Sequence, residues 1–152
     1  MALHDDGDVI RGVGFVAIYA AYVEEALDSL LECLNRVKAV DDQLRRRQTS
    51  RKIREIKKRL QILDRDGFEE LLNDIDQCVD LLEARHEIIH GRIYGQTKGP
   101  DMLNPARSDK ARRPVSSIEL YELANQLNVC RSMLIRPQIF EIPRKVSDWI
   151  AT

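Results

Sequence analysis

The stretch Arg85-His86-Glu87-Ile88-Ile89-His90-Gly91 gathers chemistry-bearing side chains into seven residues. Read from His86 it is H-E-x-x-H. On a helix that spacing puts two imidazoles one turn apart to hold a zinc ion, with the glutamate as general base. Read from Arg85 it is Arg-x4-His, which pairs a permanent cation with an imidazole, the side chain that gains and loses a proton near neutrality. The two readings imply different chemistry.

The zinc reading needs a third ligand. The extended pattern H-E-x-x-H-x-x-G-x-x-H fails, because Ile93 and Gln96 stand where its Gly and His belong, and the remaining histidine is His4. Glu119 or Glu122 would have to serve, as in the two-His-one-Glu class. Gly91 ends the helix early for such a site, and there is little strand pattern to hold a substrate. Zinc hydrolysis through His86, Glu87 and His90 is therefore the weaker alternative.

The elements that must position these residues read as helices. Apolar residues at Val16, Tyr19, Val23, Leu27, Leu30, Leu34 and Val37 recur every three or four positions and predict a long first helix from about Asp8 to about Leu44. Thr49 or Ser50 is placed to cap a second, with Ile53, Ile56, Leu60 and Leu63 as its stripe. Asp66-Gly67 marks a turn, and a third helix follows with Phe68, Leu71, Ile75, Cys78 and Leu82 on one face. Residues 91–115 carry Gly91, Gly95, Gly99, Pro100, Pro105 and Pro114 and predict a loop, with a short hairpin from Ile93-Tyr94 and Met102-Leu103. Ser116-Ser117-Ile118-Glu119 has capping-box spacing and opens a last helix that ends before Pro137. In the tail, 137–152, Val146, Trp149 and Ile150 suit a short docked helix. The expectation is a single all-α domain over 1–152, a four-helix bundle with an irregular Gly/Pro-rich segment between helices three and four.

The third helix's rhythm continues from Leu82 to Arg85, and the companion row reaches His86 and His90. Three ionisable side chains are thereby expected on the buried face. A buried arginine needs a partner, and Glu24, Glu25 and Asp28 of the first helix are the candidate acids. Gly91 suits the helix's C-cap. Arg85 and His90 lie about 140° apart on an ideal helix, so convergence calls for reach, a distorted last turn or a second copy of the helix.

Arg85-x4-His90 at the end of the third helix, followed at once by Gly91, resembles the motif of the HEPN superfamily. The wider layout is similar too: two long helices, the motif helix, an irregular Gly/Pro segment and a capped final helix. The resemblance implies a four-helix domain that dimerises, with Arg and His of both copies lining one cleft. It further implies a metal-independent endoribonuclease of toxin or defence type with no cofactor, partnered by RNA and by a cognate antitoxin or regulatory protein. Other members of the family are non-catalytic binding modules. Under the resemblance His90 is the general base or acid, Arg85 holds the phosphate, and His86, where the family often has Asn, supplies a second proton-transfer group. Arg92 and Tyr94, just past the helix, would contact substrate.

Charge adds a second surface. Residues 45–65 carry about +8 and include Arg45, Arg46 and Arg47, a candidate track for an RNA backbone. Residues 66–87 carry about −7, so the two helices are equally able to neutralise each other. The whole chain of 152 residues has a net charge of −1, which gives no global pull toward nucleic acid or membrane. Cys33, Cys78 and Cys130 fall on apolar phases without C-x-x-C spacing and read as reduced core thiols. The apolar run Val13 to Val23 is too short to span a bilayer, and the acidic N-terminus is unlike a signal peptide. These features predict a cytoplasmic protein that does not engage membranes.

Overall fold

A computed structural model describes residues 2–152. It is predominantly helical: α1 (Val9–Cys33), the single turn α2 (Asp42–Arg45), α3 (Thr49–Leu63), α4 (Glu69–His90), α5 (Ser117–Ile139) and α6 (Glu141–Ala151). Residues 91–115, expected as a loop or hairpin, form three short antiparallel strands in the order β1 (Arg92–Tyr94), β2 (Met102–Asn104), β3 (Arg113–Pro114). Ile93 faces Leu103, and Leu103 faces Arg113. Pro114 is tolerated because β3 is an edge strand that need not donate from every residue. Among the described residues no helix is long and apolar enough to cross a membrane.

The chain divides into two compact units. The first comprises the segment ending at Ala21 together with Asp80–Asn128. Its core includes Val16, Ala20, Ile88, Leu103, Val115, Leu120, Tyr121 and Leu127, all buried. Gly12 lets α1 and α5 approach closely, since a Cβ there would sit 2.9 Å from the Cβ of Leu120. Phe15 meets Tyr121 edge-on at 5.5 Å. The Tyr121 hydroxyl donates to Asp6 at 2.8 Å, and burial together with that carboxylate pushes the phenol up to about 12. Asn125 brackets Leu3, accepting from its amide at 2.8 Å and donating to its carbonyl at 3.3 Å. Extended chain before α1 is thereby tied to α5.

The second unit comprises Tyr22–Val79 and Val129–Thr152. Leu27, Leu30, Leu34, Ile56, Leu60, Ile75, Leu134 and Ile142 form its centre. Here α1 ends at Cys33, well before the expected Leu44. The chain tightens into i→i+3 bonds at Leu34, Asn35 and Val37, and the Asn35 side chain accepts from the Val40 amide at 2.7 Å. Asp41 then caps α2 by accepting from Leu44 at 2.7 Å. These local side-chain acceptors offer the backbone an alternative to helix. Thr49 does not cap α3; its hydroxyl donates to Glu24 at 3.2 Å, and Gln48 holds the N-cap position with no side-chain bond.

Helix α5 continues past Pro137 to Ile139, because Gln138 secures the last turn from its side chain, donating to the carbonyls of Leu134 (2.8 Å) and Ala26 (3.1 Å). In α6 it is Ile142 and Val146 that are buried, while Trp149 and Ile150 are exposed. Cys78 and Cys130 are joined as a disulfide across α4 and α5, their Cα atoms 6.1 Å apart, and Cys33 is free. The expectation of reduced thiols is corrected for that pair: the fold brings two cysteines on apolar phases of different helices face to face.

Candidate active site

The motif occupies the last two turns of α4, but it does not sit as the extended stripe predicts. Ile88 is buried and Ile89 half-buried, whereas His86 and His90 are both exposed and Arg85 is half-buried. Helical drift is the reason. Steps of four overshoot a 3.6-residue turn by about 40° each, so the row through Leu82 has rotated out to solvent by His90. The core instead takes the neighbouring position, Ile88.

What the helix does bring together is the imidazole pair. The rings of His86 and His90 lie 4.3 Å apart between centroids, tilted by 47°. They share a small cavity of about 10 Å³ with Glu83, Glu87, Pro105, Ala106, Arg107 and Lys110. The wall opposite α4 is the connection between β2 and β3. Arg107 pairs with Glu83 at 3.4 Å and with Asp109 at 3.5 Å, and Lys110 pairs with Glu87 at 3.2 Å.

Arg113 of β3 ties the assembly together, reaching Glu87 at 2.8 Å and Glu119 at 2.7 Å. Its guanidinium, with Lys110 behind it, holds the Glu87 carboxyl below the usual carboxylate range, and the two acids in turn lock Arg113 in its charged form. A carboxylate so held is a poor proton acceptor, which works against Glu87 as the general base of a zinc site. The Glu119 carboxylate is taken up by Arg113, while its backbone amide donates to the Ser116 hydroxyl at 3.2 Å. Among the described residues no three of His, Cys, Asp and Glu converge as a metal-ligand set.

Arg85 does not line the cavity, and its Nε is shielded from solvent. Arg92 and Tyr94 are exposed on β1, the two outward positions flanking inward Ile93. Arg45, Arg46 and Arg47 belong to the second unit; Arg45 is engaged by Glu32 (2.7 Å) and Asp42 (2.9 Å), while Arg46 and Arg47 are exposed. Glu24 accepts from Thr49 at 3.2 Å, Asp28 pairs with Lys52 at 2.7 Å, and Glu25 is exposed.

In α3, Lys57 pairs with Asp76 of α4 and Lys52 with Asp28 of α1, while Arg51 and Arg54 are exposed. Sequence reasoning passes over Arg107, Lys110 and Arg113. The signal is present as the run Arg107-Ser108-Asp109-Lys110-Ala111-Arg112-Arg113, a cluster of cations inside the Gly/Pro segment. No family model, no curated protein and no solved structure matches this chain significantly.

Proposed function

We propose that this chain is a four-helix HEPN-type domain acting as a metal-independent endoribonuclease, with His86 and His90 as its proton-transfer pair. The carrying observation is the approach of two exposed imidazoles to 4.3 Å beside the cations Arg107 and Lys110. RNA transesterification needs few parts. The 2′-hydroxyl attacks the adjacent phosphorus, its O–P bond forms, and its proton passes to His90. The bond from phosphorus to the 5′-oxygen breaks, and His86 delivers a proton to that leaving oxygen. The products are a 2′,3′-cyclic phosphate and a 5′-hydroxyl.

Arg85 stabilises charge on the phosphate's free oxygens. Because Arg85 is not among the residues lining the imidazole cavity, this role is assigned across a homodimer, where a second copy of α4 faces the first. RNA is the substrate partner, and a cognate antitoxin or regulatory protein is the expected protein partner.

The test is cleavage of mixed RNA by purified protein in excess EDTA. Persistent cleavage giving cyclic-phosphate ends, reduced by about a hundredfold or more in His90→Ala and His86→Ala, is expected. Cleavage abolished by EDTA and restored by zinc overturns the proposal in favour of the hydrolase. Absence of cleavage under either condition overturns it in favour of a second reading, a non-catalytic binding module of the same fold. The half-buried position of Arg85, whose Nε is shielded from solvent, suits a structural role and supports that second reading.

A further inference from the structure

Arg107 and Lys110 line the cavity of the imidazole pair, yet each is held there weakly. Arg107 is 56% exposed and sits 3.4 Å from Glu83 and 3.5 Å from the exposed Asp109; Lys110 is 38% exposed and sits 3.2 Å from Glu87. Exposed ion pairs of this length contribute little and exchange readily. Arg113 behaves differently: it bridges two acids at 2.7 and 2.8 Å and fixes the end of the connection. The space between α4 and the connection is about 10 Å³, room for about one water molecule.

We infer that the connection Pro105–Lys110 is a phosphate clamp, in which Arg107 and Lys110 leave Glu83 and Glu87 to grip the RNA backbone beside the scissile linkage. This rests on the reading of His86 and His90 as an RNA-cleaving pair and adds residues that bind its substrate. In the resting protein the two cations mask acids that would otherwise repel RNA. When a polyanion arrives, phosphate oxygens replace the carboxylates, and Arg113 keeps the base of the connection in register. The acids are therefore competitors of the substrate, and removing one should tighten binding. A merely structural salt bridge predicts the opposite sign.

The experiment is equilibrium binding of a short, fluorescently labelled 2′-O-methyl oligoribonucleotide, which lacks the attacking hydroxyl, measured over a salt series. Arg107→Gln with Lys110→Gln should weaken binding. The same pair of changes should make the fall of log affinity with log salt shallower by about 1.4, or about 0.7 for each phosphate that is no longer neutralised. Lys98→Gln and Arg112→Gln, exposed cations outside the cavity, should leave that slope unchanged. Glu83→Gln should strengthen binding. In cleavage assays the double variant should raise KM with turnover at saturation preserved.

A wild-type slope in the double variant, or weaker binding by Glu83→Gln, overturns the clamp while leaving the ribonuclease reading intact if wild-type protein cleaves. A wild-type protein that neither binds this oligonucleotide nor cleaves RNA overturns both.

Discussion

Arg59 shows how far a residue's neighbours in sequence can mislead about its place. It follows Lys57 and Lys58 in the most basic stretch of the chain, yet it is only 1% exposed. Its guanidinium donates to the carbonyls of Lys38 (3.0 Å), Ala39 (2.9 Å) and Glu55 (3.1 Å), and to the Glu55 carboxylate at 2.7 Å. Arg59 first, and Lys58 after it, take the Glu55 carboxyl down to about 2. Removing the guanidinium leaves the half-buried Glu55 carboxylate to Lys58 and Lys38 and uncaps two loop carbonyls. Arg59→Met should therefore cost about 3–5 kcal/mol in urea unfolding; a loss below about 1 kcal/mol would mean the network is dispensable.

Position 59 is legible on phase alone, lying three after Ile56 and four before Leu63, but charge counting places it on a solvated or RNA-facing surface. The histidines err in the other direction. Their phase extrapolates to the core, and the accumulated drift of four-residue steps puts them in solvent.

At the scale of elements, the close of α4 is set by space more than by backbone freedom. A left-handed cap would give Gly91 a positive φ, but the glycines with positive φ are Gly7 and Gly99. A Cβ at Gly91 would lie 2.7 Å from the Glu87 carbonyl oxygen and 2.5 Å from the Leu103 side chain, with the Asn104 carbonyl at 3.1 Å. The glycine allows β2 to pass directly under the end of the motif helix. Gly91→Ala should then destabilise the protein by about 1–3 kcal/mol, read as a lowered Tm, since backbone oxygens cannot move aside as a side chain can. An unchanged Tm would show that the sheet adjusts freely.

The positions of β1 and β2 are readable from Ile93-Tyr94 and Met102-Leu103, where β-formers interrupt glycines and prolines. Strand β3 is not, because a two-residue strand of Arg and Pro carries no pattern of its own. The early end of α1 is hidden for a related reason. Leu34 and Val37 keep the helical rhythm while Asn35 and Asp41 redirect the backbone with side-chain hydrogen bonds, and periodicity does not register those.

Across the whole molecule, helical content and the apolar stripes are plain from sequence, whereas pairings between distant residues are not. The Cys78–Cys130 disulfide is the clearest case, because a spacing of 52 residues carries no signature. Closing a loop of that length restricts the unfolded chain and should contribute about 4 kcal/mol by chain-entropy arguments. Melting with and without reductant should show a clear fall in Tm on reduction, and thiol titration of the denatured protein should rise from one group to three. Three titratable thiols without reductant would show that the pair is reduced.

The web around Arg59 also bears on how this chain can vary. Loops are ordinarily where proteins gain and lose residues, because nothing counts their length. Between Leu34 and Asp41 something does. The Asn35 side chain spans a fixed interval to the Val40 amide, and two successive carbonyls must meet one rigid guanidinium. An insertion or deletion of a single residue there would break the count at both points. This connection, devoid of regular structure, is thus as intolerant of length change as the helices it joins.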